Sequence, residues 1–149
     1  MSNDFDPILA ALDSILVPAI EEALAAGLQS GAEQLQSLAQ ATSAYNDDTS
    51  ATRSGTVAYA ATPQDDGSAA FDAALAAVEA HNPGHGQSVG IGESVDENSY
   101  AVVLTSATDY INHLESDHAG ARAFIAPTMQ QNAPQITAAV AAALGSALA

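Results

Sequence analysis

The first 42 residues carry apolar side chains at the three- and four-residue spacing of an α-helix. The pattern runs through Ile8, Leu12, Ile15, Leu24, Leu28 and Leu35. Asp6 followed by Pro7 suits a helix start, because aspartate accepts the first amide hydrogens and proline presets the first-turn dihedral angle. The pattern predicts one long helix that ends at about Thr42. Pro18 lacks an amide hydrogen and crowds the Ser14 carbonyl, which predicts a kink or a split into two helices.

Alternating apolar and polar positions predict β-structure in the middle of the chain. Residues 57–61 alternate as in a half-buried strand, and PQDDG at 63–67 supplies turn residues after them. Residues 89–91 and 100–104 alternate again on either side of the turn residues DEN at 96–98. This arrangement predicts a β-hairpin.

Two further helices are predicted, one before the hairpin and one after it. The first is short and is capped by Ser68, and the breaker run NPGHG at 82–86 ends it. Its apolar positions are Phe71, Ala74, Leu75 and Val78. The second is an alanine-rich C-terminal helix that begins at Pro127, and Pro134 is expected to kink it or to restart it after Asn132.

The order helix, strand, helix, hairpin, helix predicts an α+β fold, because it lacks the alternating strand–helix–strand pattern of a parallel sheet. We expect the long N-terminal and C-terminal helices to pack on one face of a small antiparallel β-sheet. Residues 1–149 are interpreted as one domain, since this length supports a single modest core. The short helix then belongs to an insertion at about 63–86.

The charge balance is the strongest departure from an ordinary domain. The chain has 18 Asp and Glu against two Arg and no Lys, and its formal net charge is −16 at pH 7. Such a chain repels phosphate backbones, so we expect negligible binding to duplex DNA. The same surface suits DNA that slides past without sticking, and it equally suits solubility or high salt. The 48% apolar content is largely alanine, so burial depends on close packing of small side chains and the fold gains from assembly.

No residue pattern indicates catalysis, a metal or a cofactor. The chain has no cysteine, and its GxSxG match, GQSVG at 86–90, lacks the following helix that a nucleophile turn requires. Asn82, Pro83 and Gly84 separate His81 from His85, and His113 and His118 are five apart across an expected break, so neither pair matches a helical metal-binding motif. The start of the chain lacks a signal-peptide pattern, and no apolar run reaches the ~20 residues that span a bilayer. We therefore expect a soluble, unsecreted protein that is not an enzyme.

The two arginines, Arg53 and Arg122, are conspicuous in a chain with so many carboxylates. We expect each guanidinium to pair with carboxylates, either as a clamp within or between subunits or as an ordinary surface pair. Arg122 lies among Glu115, Asp117 and Phe124, just before the predicted terminal helix. This neighbourhood favours a contact with another subunit.

Two stretches resemble segments of tailed-phage tail-completion, or neck, proteins. DDTSATRSGTVAYA at 47–60 is similar to their run of threonine, small residue, arginine and small residue before the first strand. DYINHLESDHAGARAFIAPTMQQNAP at 109–134 is similar to their tyrosine, short turn ending in glutamate, glycine-containing loop, aromatic residue and helix-opening proline. The order of elements also agrees, so the resemblance covers nearly the whole chain. It departs from the family at Ser50 and Ala51, where a glycine is common, and in the larger insertion at 63–86.

The resemblance implies a structural virion protein that is assembled in the host cytoplasm. It would form a ring of six or twelve subunits at the head–tail junction, between the head connector or adaptor proteins and the tail tube protein. DNA would pass through the lumen without specific binding, and no membrane would be involved. The interface residues that we expect are Arg53, Tyr110, Glu115, Arg122, Phe124 and Pro127, with Phe124 filling an apolar pocket and Arg122 bridging carboxylates of two subunits.

Two other functions remain open from the sequence. One is an acidic cytosolic adaptor or scaffold module of a halophilic host, which would be monomeric and would lose structure at low salt. The other is a small hydrolase, which would bring carboxylates or histidines together in a pocket.

Overall fold

The structure is a computed structural model that describes residues 6–42, 50–87, 99–111, 114 and 123–149. An N-terminal rod comprises helix α1 (Asp6–Ala11), a π-helical segment (Leu12–Leu16) and helix α2 (Val17–Gln40). The amide of Val17 donates to the carbonyl of Leu12, one residue further back than in an α-helix. Pro18 offers the preceding turn no amide hydrogen, and the widened turn falls directly before it. The predicted split thus takes the form of a π-helical interruption, and α2 ends slightly before Thr42.

The later elements follow in the order helix, strand, helix, strand, helix. They are α3 (Ala51–Gly55), β1 (Thr56–Ala61), α4 (Ser68–His81), β2 (Ala101–Ser106) and α5 (Ile125–Ala147). Strands β1 and β2 pair antiparallel, with Thr56 opposite Ser106 and Ala61 opposite Ala101. The α+β class is confirmed. Of the predicted hairpin, most of the second arm lies in β2, whereas the first arm at 89–91 and the turn at 96–98 lie outside the described residues.

The long helices α2 and α5 cover one face of the sheet, as expected, and helix α4 covers the other face as well. Every residue of β1 is buried. Ala58 packs with Leu104 against α2 and α5, whereas Val57 and Tyr59 pack against Val78 and its neighbours on α4. Successive strand residues point to opposite faces, so α4 forms a third layer. The strand predicted at 57–61 is therefore confirmed, but its predicted half-burial is wrong, because both of its faces are buried.

Helices α2 and α5 run antiparallel and approach closely at two glycines of α2. Gly31 lies beside Ile136, and a Cβ atom at Gly31 would come within 2.7 Å of the Ile136 Cγ2 atom. Gly27 lies beside Val140, one helical turn further along. The expected reliance on close packing of small side chains is thus confirmed at this helix pair.

Helix α4 is predicted at the right place but begins differently. Gly67 occupies the N-cap position with a φ of 77°, a conformation that favours glycine. Asp66 Oδ1 accepts the amide hydrogen of Ser68 at 2.9 Å, so Asp66 supplies the capping oxygen and Ser68 is the first helical residue. The backbone amide and then the hydroxyl of Ser68 lower the pKa of Asp66, because both favour its ionised form.

Helix α5 begins before Pro127 and continues through Pro134. Pro127 lies in the first turn, where a missing amide hydrogen costs no helical bond. Pro134 leaves the carbonyl of Gln130 without its helical donor, but Gln130 is exposed and water can satisfy that oxygen. The predicted restart after Asn132 is therefore wrong. Among the described helices, none combines the length and the apolar character needed to cross a membrane.

Candidate functional site

A chain of hydrogen bonds joins α2, α3 and β1 where β1 begins. Arg53 donates through Nη1 to the carbonyl of Gln40, at the C-terminal end of α2, where a cation is favoured by the helix dipole. Gln40 donates through Nε2 to the carbonyl of Thr56 over 3.0 Å. The Thr56 hydroxyl donates to the carbonyl of Thr52 over 2.7 Å. We call Gln40, Thr52, Arg53, Thr56 and Tyr110 the junction cluster.

Tyr110 connects this cluster to the turn after β2. The Thr52 hydroxyl donates to the Tyr110 hydroxyl over 2.9 Å, although the two residues are 58 positions apart. The Tyr110 ring stands edge-on to the His85 ring, with centroids 6.1 Å apart. His85 Nδ1 lies 3.2 Å from both carboxylate oxygens of Asp109. The loop after α4, the end of β2 and the start of β1 are therefore held together.

Glu79 fixes the loop after α4. Its two carboxylate oxygens accept the amide hydrogens of Gly84 at 2.9 Å and Gly86 at 2.7 Å. The Gly84 amide, followed by the Gly86 amide, lowers the pKa of Glu79, because both hydrogen bonds favour the ionised form. A carboxylate held ionised in this way is a loop clamp and a poor general acid near neutral pH.

Two glutamines of α2 satisfy the outer edge of β1, the edge that faces away from β2. Gln36 Oε1 accepts the amide hydrogen of Ala58 at 2.9 Å, and Gln40 donates to Thr56. An open groove of about 820 Å³ follows this edge between α2 and α4, and Glu33 is its one charged lining residue among those described. Sequence reasoning missed both glutamines. Their four-residue spacing on one helix face was a signal, but glutamine is common on exposed helices.

The described residues contain no group of three or more His, Cys, Asp and Glu that could hold a metal ion. His81 ends α4, and its Nδ1 lies 2.8 Å from the carbonyl of Ala77, while His85 lies in the following loop. The two rings thus do not share a helix face, as the breaker residues predicted. His113 and His118 lie outside the described residues.

The structure places the six predicted interface residues in different surroundings. Arg53 and Tyr110 are partly exposed members of the junction cluster, and Pro127 is partly exposed in the first turn of α5. Glu115 and Arg122 lie outside the described residues. Phe124 is only 2% exposed and packs in the protein's own core beside Leu104 and Ile136. The expectation that Phe124 fills a neighbour's pocket is therefore corrected, because its ring is already buried within the chain.

Comparison of the chain with protein-family models, with curated proteins and with solved structures finds no match. Arguments about its function therefore rest on its own residues.

Proposed function

We propose that the protein is a structural component of a tailed-phage particle and forms a ring of six or twelve subunits at the head–tail junction. The ring completes or joins the tail, contacts the head connector and the tail tube protein, and lets DNA pass through its lumen. Its role is architectural, so we assign it no catalytic residue and no cofactor.

The hydrogen bond between Thr52 and Tyr110 carries this proposal. Thr52 belongs to the 47–60 stretch and Tyr110 to the 109–134 stretch, the two segments that resemble tail-completion proteins. Two short similarities that arose by chance have no reason to touch in the fold. Their contact supports a single structural unit, in which these residues tie α2, β1 and the turn after β2 into one scaffold.

The distribution of charge supports passage of DNA through a lumen. Every Asp and Glu within the described residues is exposed. An acidic wall without lysine releases no counterions from DNA, so it neither binds the polymer nor slows it. The same surface would serve the hydration of an adaptor protein in a halophilic host, and the experiment must separate these two functions.

The test is the mass of the purified full-length chain by native mass spectrometry, alone and with connector and tail tube proteins from a phage that encodes this chain. We expect a closed ring of six or twelve subunits, or incorporation into a ring when those proteins are added. Antibody labelling should then place the chain at the neck of the particle.

The control compares melting at low and at molar salt in the same buffer. A chain that stays monomeric with every partner, is absent from particles and unfolds at low salt would contradict the ring and support the halophilic adaptor. A ring that assembles but never joins particles would contradict the virion assignment alone.

A further inference from the structure

The first part of the N-terminal rod exposes apolar side chains that the described fold does not cover. Asp6–Leu16 contains no buried residue. Four of its large apolar side chains, together with that of Val17, are between 40% and 71% exposed. They are Ile8, Leu9, Leu12, Ile15 and Val17. We call this exposed strip the donor helix.

An apolar cavity of about 300 Å³ lies elsewhere in the same chain, between α2, the start of β2 and α5. Its lining includes Leu28, Val102, Met129, Ala133 and Val140. We call it the acceptor groove. Aliphatic side chains of the size of leucine or isoleucine fit such a space, and its volume is at the small end for ligand pockets.

The donor helix cannot reach the acceptor groove of its own chain. Gly31 packs beside Ile136 and Gly27 beside Val140, so the two helices keep a constant register. In that register Ala147, the last residue of α5, lies level with Ile20, and the donor helix projects beyond it. Ile15 and Leu28 are 13 residues apart on one helical rod, about 20 Å at the ~1.5 Å rise of a helix. A contact between the two surfaces must therefore join two copies.

The distribution of charge favours the same pair of surfaces. Residues 6–40 contain five Asp and Glu and no Arg or Lys, so the donor helix repels most of a second acidic copy. Helix α5 and strand β2 contain no charged residue at all. The lining of the acceptor groove contains no charged residue among those described, so an acidic helix of a second copy meets less repulsion there than at the faces that carry carboxylates.

We infer that the donor helix of one copy packs into the acceptor groove of the next copy. Because the two surfaces differ and lie far apart on one rod, the contact is head-to-tail and closes into a ring when the rotation per subunit permits. This inference rests on the self-assembly within the proposed function and names the contact that would carry it.

Single cysteines test the contact directly, since the natural chain has none. Full-length Leu12→Cys and Ala133→Cys chains, one of them tagged, are mixed under mild oxidation. We expect a mixed disulfide dimer in clear excess over either homodimer. The first control pair is Ala10→Cys, on the opposite face of α1, mixed with Ala133→Cys. The second control pair is Leu12→Cys mixed with Ala142→Cys, on the opposite face of α5. Equal yields from controls and test pair would overturn the inference.

Charge insertion gives a second, independent measurement. Leu12→Glu or Ala133→Glu should weaken self-association, measured by sedimentation, by at least about tenfold, because each places a carboxylate in an apolar contact. Ala10→Glu and Ala142→Glu add the same charge to the opposite faces and should change association little. Helicity and melting of the monomeric chain should stay unchanged in all four variants, because these side chains lie outside the core.

The outcomes separate this inference from the proposed function. A ring that persists in Leu12→Glu and Ala133→Glu refutes the donor–groove contact and leaves the ring intact. The expected disulfide in a chain that never enters phage particles supports the contact and refutes the virion assignment. If the chain does not self-associate at millimolar concentration and a basic partner protein instead binds the donor helix, two statements are refuted. The groove is then not occupied by a second copy, and the ring does not form.

Discussion

Replacing Phe124 by alanine should destabilise the single subunit itself. The ring is 2% exposed and packs in the core formed by α2, β2 and α5, with Leu104 and Ile136 among its neighbours. Truncating a buried phenylalanine removes its apolar contacts and leaves a cavity, at a cost of about 3–5 kcal/mol. Since domains of this size unfold at about 5–15 kcal/mol, the change removes a large fraction of the stability.

The assay is urea unfolding followed by far-ultraviolet circular dichroism, at concentrations where the chain is monomeric. We expect the midpoint to fall with an unchanged slope, since the slope reports the surface exposed on unfolding. In a thermal scan each kcal/mol shifts the melting temperature by about 2–4 °C in a domain of this length, so Phe124→Ala should melt roughly 6–20 °C lower.

Two variants serve as controls. Phe124→Leu keeps most of the volume and should cost under about 1.5 kcal/mol. Leu148→Ala truncates a side chain near the other end of α5 that is more than half exposed, and it should cost well under ~1 kcal/mol. If Phe124→Ala leaves the monomer's stability unchanged within ~1 kcal/mol and abolishes assembly, Phe124 is an interface residue and the core placement is wrong.

Four further predictions concern the turn before α4, the titration of two side chains and the effect of salt. Gly67→Ala should cost more than about 2 kcal/mol in urea unfolding, because the residue has a positive φ and a Cβ atom there would overlap the Tyr59 ring. Gly84 has a similar φ, but no atom lies close to where a Cβ atom would be. Gly84→Ala should therefore lower the free energy of unfolding only by the backbone strain, about 1–2 kcal/mol. Burial raises the pKa of Tyr59 from 10.0 to about 12, so its stabilising contribution is complete below pH 10 and is lost as the pH rises through about 12. Tyr59→Phe should abolish that alkaline loss of stability and be no less stable at pH 7, since the buried hydroxyl has no hydrogen-bond partner among the described residues. The lowered pKa of Glu79 contributes stability above the ordinary value of 4.5 that is lost as the pH falls through the folded-state value. Glu79→Gln should therefore weaken the acid dependence of the urea midpoint, and an unchanged acid limb would contradict the loop clamp. Raising the salt from 0.1 to 1 M shortens the screening length from about 10 to about 3 Å, so sedimentation should show stronger self-association, and weaker association would indicate an interface held by ion pairs.

Local periodicity was enough to determine most element types from the sequence. The spacing of Leu24, Leu28 and Leu35 specifies a helix, because a 3.6-residue period brings these side chains to one face. The alternation at 57–61 specifies a strand in the same way. Pro18 marked the helical interruption, since a missing amide hydrogen is a property of the residue itself.

The sequence did not determine what lies on each side of these elements. The period-two pattern of β1 is the same whether the face that holds Ala58 meets water or meets α2 and α5, because a small residue such as alanine suits both environments. The roles of Gln36 and Gln40 depend on the position of the β1 edge beside α2. The sequence does not show that a glutamine on α2 will lie beside a strand edge.

Among the candidate functional features, some follow from composition and others depend on tertiary contacts. Composition determined the acidic, lysine-free surface, because nearly any fold exposes its carboxylates to water. Only the tertiary structure decided that Thr52 meets Tyr110, that Phe124 turns into its own core and that the donor helix projects beyond α5. Each of these depends on contacts between residues far apart in the chain. Their partners are set by the packing of whole elements, and no local pattern encodes that packing.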